Sequence, residues 1–377
     1  MRLYFIDWIR ALAFLLLIFF HCCMPFVQFN WEIKNATSSD FLDRLIIFLH
    51  QWRLPLLFFI AGIGANFSLN KRSLSRFYGE RFVRLFIPLL FAMFFTIPLQ
   101  VYYEWLQKGI IKMSYLTFYP KVWELIPYPE GALTWSHMWF VVYLFVFTIL
   151  LLPIFALFKF NFIQQLKLKA AGLFKSPLIL ILPIFLFASI YFYFYNDWPE
   201  QGSLLDDWFV FNFSISLFLL GYLLGDLPSF FTTAERYRSN FLITALMAAA
   251  LQYIFFWKHL EWRMLTSSTD IYQYGFINSV MIWCLIVAIL GYAKKYLNFN
   301  HPVLVYLNEA VFPFYIIHQT IIVAIGYYIT KLDWPIILKL VVLIILTGLA
   351  MFTIYQYLIR KFKLTRFLLG MKIKNYQ

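Results

Sequence analysis

Leu3 to Phe29, LYFIDWIRALAFLLLIFFHCCMPFVQF, constrains this chain more than any other stretch. It is long and apolar enough to cross a bilayer, for which roughly twenty such residues suffice. Yet it carries Asp7, Arg10 and His21. Eleven helical residues make three turns plus roughly 20°, so Arg10 and His21 share a face, about 16 Å apart along the axis. Asp7 lies one turn before Arg10, placed for an i,i+3 ion pair. A charged or titratable group inside a membrane helix costs roughly 3 kcal/mol or more and marks a functional site by default. Three on one face read as the wall of a polar passage. Plainer readings stay open: Asp7 and Arg10 as an interfacial pair reaching the headgroups, and His21 as a neutral histidine bonded to a neighbouring helix. A cleaved signal peptide is disfavoured, because Cys22-Cys23-Met24-Pro25-Phe26 supplies no small-x-small site after the apolar run.

The rest of the chain carries the same solvent signature. Of 377 residues, 63% are hydrophobic and only 13% charged, too much apolar surface for a soluble domain to hide, so lipid is the solvent. The net charge of +13 would suggest nucleic acid, but the basic residues fall in short connections between apolar segments, and the positive-inside rule explains them better. A hydropathy window gives about ten spans, near 5–28, 45–68, 82–103, 138–158, 177–195, 209–226, 241–257, 274–293, 304–329 and 335–358. Lys71, Arg72, Arg76, Arg81 and Arg84 follow the second; Lys159, Lys167, Lys169 and Lys175 the fourth; Arg236 and Arg238 the sixth; Lys294 and Lys295 the eighth; Arg360 to Lys374 the last. The opposite connections collect acids, among them Glu32, Asp40, Glu124, Asp207, Glu261 and Asp333. The expectation is an all-α integral membrane protein, a bundle of about ten transmembrane helices with both termini cytoplasmic, forming one domain over 1–377. The longest connection, 104–137, is external on this topology and rich in aromatic residues and proline; it either lies at the interface or roofs a pocket.

Further residues suit chemistry. Arg81 and Arg84 are i,i+3 at a helix start, with Arg76 near enough to join, and guanidiniums so placed grip phosphate oxygens. Plain positive-inside charge explains them as well. Pro88 is expected to kink that helix. His137 opens the fourth span between Trp135 and Trp139. His318 lies in the ninth, with Glu309 nine residues earlier and close to 180° round the helix, so the two do not face one cavity on a straight helix. His50, His259 and His301 are read as solvated connection histidines. Cys22, Cys23 and Cys284 make no disulfide framework, and a His-Cys-Cys metal site is disfavoured because adjacent helical residues splay apart. No metal and no tightly bound cofactor are expected.

Five blocks in order now carry a resemblance: LYFIDWIRALAFLLLIFFH, LPLLFFIAG at 54–62, ERFVRLFIPLLF at 80–91, HMWFV at 137–141 and VFPFYIIHQ at 311–319. Together they resemble the membrane-bound acyltransferase family 3, and the Asp-Trp-x-Arg opening with FFIAG is similar to its glucan-biosynthesis branch. The resemblance implies a bacterial inner-membrane O-acyltransferase moving an acetyl or succinyl group from cytoplasmic acyl-CoA to a hydroxyl of an extracytoplasmic glycan or glycolipid. It also implies that Arg10 and His21 match the family's first-helix Arg and His, and that Arg81 and Arg84 match its Arg-x-x-Arg pair. Ala61, where many members have Ser, leaves the acceptor class open. On this reading His21 is the general base, Arg10 and Asp7 complete the catalytic group, Arg81, Arg84 and Arg76 hold the acyl-CoA phosphates, and His137, Glu309 and His318 help bind the acceptor. The partners are acyl-CoA, the glycan acceptor and membrane lipid, with no nucleic acid; a homo-oligomer is compatible with the sequence. The rival from another class is a transporter or flippase for an anionic or glycolipid substrate, its helix-one charges lining a permeation path.

Overall fold

A computed structural model describes residues 2–198, 200, 202–258 and 267–372; His259, Glu261 and Lys374 lie outside the described residues. Among the described residues there is no strand, only an isolated bridge between Pro127 and Leu133. The chain order of helices is α1 Tyr4–Cys23, α2 Asp40–Leu69, α3 Leu74–Gln107, α4 Ser136–Leu150, α5 Asn161–Lys175, α6 Ile179–Phe194, α7 Trp208–Leu224, α8 Pro228–Arg236, α9 Arg238–Trp257, α10 Thr269–Tyr296, α11 Pro302–Ile329, α12 Ile336–Ile359 and α13 Lys363–Leu368.

Each of the ten hydropathy windows falls on helix, but the structure offers seven to nine candidate spans. Among the described residues seven helices are long and apolar enough by themselves, and two bent pairs bring the number to nine. α5 and α6 meet at 103°, α7 and α8 at 105°. Proline explains both corners. Ser176 and Leu227, each preceding a proline, are extended, the conformation a following proline ring imposes. α4 is shorter than a span because Pro153 opens a separate helix, Leu152–Leu157, within the same window. Hydropathy averages over such prolines and does not see the bend.

Proline also shapes α3, by another route. Pro88 and Pro98 are each preceded by a π-helical stretch, Phe82–Phe86 and Ala92–Thr96. A proline inside an α-helix lacks one N–H and its ring crowds the carbonyl four residues back. A π-turn, with its i→i+5 pattern, absorbs both defects, and the span runs on from Leu74 to Gln107.

The chain forms two compact units. The first takes the residues up to Ala13, Ile47–Gly79 and Val146–Leu304; the second takes Phe14–Ile46, Glu80–Phe145 and the residues from Val305. In the first unit α2 and α7 touch backbone to backbone. A Cβ on Gly62 would stand 1.9 Å from the Phe218 carbonyl oxygen, and one on Gly221 2.0 Å from that of Phe59; small residues permit such approach in membranes. Beside them Trp283 is fully buried, edge-on to Phe59 at 5.6 Å, its indole N–H donating to the Leu180 carbonyl.

The second unit is organised around α11. Tyr315 meets Phe14 at 5.5 Å and Phe140 at 6.3 Å. Arg366 of α13 is buried and donates to Glu309 of α11 at 2.7 Å and to the Arg360 and Lys372 carbonyls, tying the C-terminal segment to α11. The connection after α3 is ordered, not a bare loop. It contains helical turns at Tyr115–Phe118 and Tyr119–Glu124, with Phe118 and Val122 fully buried. Tyr119 and Tyr102 donate to the Phe94 and Met113 carbonyls at 3.1 Å each.

Candidate active site

The site is built on a pinned loop between α1 and α2. Lys34 gathers three carbonyls left over at the end of α1: that of Val27, that of Phe29 at 2.9 Å and that of Met24 at 3.4 Å. Its own backbone is clamped by the Gln107 side chain, which accepts from the Lys34 N–H at 2.6 Å and donates to its carbonyl at 2.9 Å. Asn35 N–H donates to the Pro25 carbonyl at 2.9 Å, Gln28 N–H to Asp43 at 2.7 Å, and Lys339 to Asn35 at 2.7 Å. Every end of the loop is tied, so Trp31 and Glu32 have fixed positions. The Trp31 ring lies parallel to the His21 imidazole, interplanar 12°, centroids 6.3 Å apart.

His21, at the end of α1, meets His318 of α11: Nδ1 to Nε2 is 2.8 Å and the rings stack at 4.9 Å. His318 is fully buried, and its Nδ1 lies 2.6 Å from the Tyr315 carbonyl oxygen. A carbonyl only accepts, so that nitrogen carries the hydrogen. In the neutral form His318 Nε2 therefore holds a lone pair and accepts from His21 Nδ1–H. The lone pair of His21 is thereby assigned to Nε2. This is the logic by which one fixed group sets another's tautomer. A proton gained at Nε2 leaves one positive charge shared by two imidazoles through the Nδ1–H···Nε2 bond.

His137, the third imidazole, stands edge-on to His318 at 5.2 Å. Its Nε2 faces the Ile316 carbonyl at 3.2 Å and its Nδ1 faces Gln100 Nε2 at 3.3 Å. Nε2 donates, Nδ1 accepts, and both nitrogens are engaged within the protein. Tyr315 Oη, donating to the His137 carbonyl at 2.5 Å, fixes its backbone. His137 packs against the pair.

From His137 a chain of amides and hydroxyls leads to a carboxylate. Gln100 donates to Thr320 at 2.7 Å and accepts from Ser136 at 3.0 Å. Gln319 Nε2 donates to Glu32 Oε1 at 2.5 Å, and Ser136 Oγ reaches the same oxygen at 3.4 Å. Glu32 Oε2 and Gln319 Oε1 are buried and have no hydrogen-bond partner. Burial pushes the Glu32 carboxyl up to about 7, and the Glu104 carboxylate adds to that, against the hydrogen bonds from its own backbone, Gln319 and Ser136.

The other residues singled out in the sequence fall in several places. Asp7 and Arg10 form the expected i,i+3 pair at 3.1 Å, and Arg2 reaches the second Asp7 oxygen at 2.8 Å. Arg81 closes the last α-turn of its segment, and Arg84 is exposed within the π-turn Phe82–Phe86. The wider turn changes their separation from that of a regular i,i+3 pair. Arg76 is exposed, its N–H bonded to Ser73. Glu309 is engaged by Arg366 while His318, half a turn round the same helix, meets His21. His50 is no connection histidine: it sits inside α2 and pairs with Glu200 at 2.8 Å. Among the described residues no three His, Cys, Asp or Glu side chains gather as a metal-ligand set. Trp31, Glu32, Gln100, Ser136 and Gln319 did not stand out in the sequence. Gln100 and Gln319 were findable, since an amide inside an apolar span needs an internal partner.

Comparison with known proteins agrees with the resemblance. A family model described as an acyltransferase domain matches residues 3–356. Glucans biosynthesis protein C of Salmonella heidelberg is 27% identical over 346 residues, covering 87% of this chain and 84% of that protein. The proteins of that name from Salmonella paratyphi B and Salmonella dublin match with the same identity and coverage. No solved structure matches the chain.

Proposed function

The chain belongs to the acyltransferase family whose model covers residues 3–356, and from that premise we propose that it moves an acetyl or succinyl group from cytoplasmic acyl-CoA to a hydroxyl of an extracytoplasmic glycan. It is a multi-pass membrane acyltransferase. In this reading the membrane is the bacterial inner membrane and both termini are cytoplasmic. Seven long helices, two bent pairs and α4 make ten crossings, and residues 1–377 form one transmembrane acyltransferase domain. The relatives' name refers to glucans, so a glucose oligosaccharide is the first acceptor to try.

The observation that carries the reading is the contact between His21 Nδ1 and His318 Nε2 at 2.8 Å. A histidine held in the Nε2-basic tautomer by a buried partner is what a general base requires. His21 Nε2 takes the proton of the acceptor hydroxyl as its oxygen attacks the thioester carbonyl. A C–O bond forms, the C–S bond breaks, and the CoA thiolate leaves, taking back the proton from His21. Arg10, held by Asp7, orients the donor. Arg81 and Arg84, with Arg76, hold the donor's phosphates as charge-assisted bonds do best. His137 and His318 complete the acceptor side through the base they brace, and Glu309 steadies α11 through Arg366. The family match favours this enzyme over a transporter or flippase.

The test is direct. Purified protein in lipid, given radiolabelled acetyl-CoA or succinyl-CoA and a glucose oligosaccharide, should pass label to the sugar. Arg81→Ala with Arg84→Ala should raise the KM for acyl-CoA about tenfold or more, the worth of one or two charge-assisted bonds. Label that never leaves the donor, with any acceptor hydroxyl, would end the proposal; an unchanged donor KM would return the arginines to topology alone.

A further inference from the structure

The acceptor side of the site carries more information than the base. Glu32 Oε1 accepts from Gln319 at 2.5 Å, and Ser136 Oγ stands 3.4 Å from it. Its second oxygen, Oε2, is buried with no partner, and so is Oε1 of Gln319, the residue that fixes it. A buried acceptor oxygen without a donor costs about 1–3 kcal/mol, and two together on bonded side chains call for a common donor. An aromatic face stands in the same loop: Trp31, adjacent in sequence to Glu32, lies parallel to the His21 ring. A carboxylate bonded to an amide, with an indole on the next residue of the loop, makes up the chemistry that recognises a ring bearing several hydroxyls.

We infer that Glu32, Gln319 and Trp31 form the acceptor subsite, and that it takes a neutral polyhydroxylated ring whose O–H groups donate to Glu32 Oε2 and Gln319 Oε1. The inference rests on the acyl-acceptor reading above and adds the residues that choose the acceptor. Charge argues for a neutral ligand. The groups facing the Glu32 carboxyl are its own backbone, Glu104, Gln319 and Ser136, and Glu104 is itself bonded to Lys108 at 2.5 Å and Tyr128 at 2.7 Å. Lys34, the cation of the same loop, is committed to backbone carbonyls. An anionic sugar would meet the Glu32 and Glu104 carboxylates with Lys34 and Lys108 already committed. Burial raises the Glu32 carboxyl, so a hydroxyl ligand can also meet it in either protonation state. Position follows from the fixed loop: a ring held by Trp31 and Glu32 is next to the imidazole that removes a hydroxyl proton, the proximity that a bimolecular transfer needs. Glu32 and Gln319 are specificity-determining residues; His21 does the chemistry.

Two readouts separate this inference from the activity it builds on. Binding of a neutral glucose oligosaccharide is measured by calorimetry on the full chain in lipid nanodiscs without acyl donor, and donor breakdown without acceptor is measured in parallel. Glu32→Ala and Gln319→Ala should each weaken oligosaccharide binding about tenfold, the loss of one hydrogen bond to a charged or buried group. Glu32→Gln keeps the shape and one acceptor oxygen, so it should weaken binding less and guards against a variant that fails to fold. His21→Ala should still bind the sugar. If wild-type protein binds no oligosaccharide, or Glu32→Ala and Glu32→Gln bind it as wild type does, the subsite is overturned. If sugar binds in a Glu32-dependent way but no acyl group is ever transferred, the subsite stands and the transferase reading falls.

Discussion

Both units bury polar clusters, and the two clusters differ in kind. In the first unit Asn278 donates to Gln51 at 2.7 Å and to Tyr191 at 2.6 Å, while Gln252 donates to the Tyr274 carbonyl at 2.8 Å. All members are amides or phenols. In the second unit the corresponding cluster contains three imidazoles and a carboxylate: His21, His318, His137 and Glu32. Unpartnered oxygens occur in both, since Asn278 Oδ1 and Gln252 Oε1 lack partners as Glu32 Oε2 does. Polar burial alone therefore does not mark a site. Amides and phenols cannot trade protons near neutrality; imidazoles and a raised carboxyl can. The second cluster is the one whose side chains have the chemistry to carry a proton.

That contrast is open to attack from either side. Of the changes that leave His21 in place, His318→Ala should do the most to activity. Without its partner the His21 tautomer is unset, and acyl transfer should fall about a hundredfold while thermal unfolding moves little. Equal losses of transfer and of stability would make the pair structural. Asn278→Ala, in the other cluster, should do the reverse. It strands the Gln51 and Tyr191 oxygens and should cost about 1–3 kcal/mol of stability, with kcat of the folded fraction near wild type. A large kcat loss there would dissolve the distinction.

A change with pH concerns Glu32. Its carboxyl, pushed up to about 7 chiefly by burial, is protonated in the folded protein between roughly its ordinary value near 4.3 and 7. The unfolded chain has released that proton over the same window. The folded state binds more protons there, so stability falls as pH rises through the window. Glu32→Gln should flatten that part of the unfolding-temperature profile. Parallel profiles for wild type and Glu32→Gln between pH 4.5 and pH 7 would show that the carboxyl is not raised.

How much of this was legible beforehand follows from the range of each interaction. The Asp7–Arg10 pair at 3.1 Å lies one turn apart on one helix, and helical geometry alone announces it. The opposite phase of Glu309 and His318 on α11 was equally local. Pairing of His21 with His318 was not, because nothing in either segment says that two helices 297 residues apart in sequence will cross there. Glu32 was sorted with the external acids, and its burial arises only once Lys34 and Gln107 fold the loop. The corners at Pro177 and Pro228 were written in the sequence, but a hydropathy average hides them.

The central claim is that His21 takes the acceptor proton, and the most direct measurement is the rate at which His21→Ala passes radiolabelled acetyl or succinyl from acyl-CoA to a glucose oligosaccharide. With folding intact and sugar binding retained, the expected rate is lower than wild type by about 10²–10⁴-fold, the usual contribution of a positioned base. Transfer by His21→Ala at the wild-type rate would contradict it.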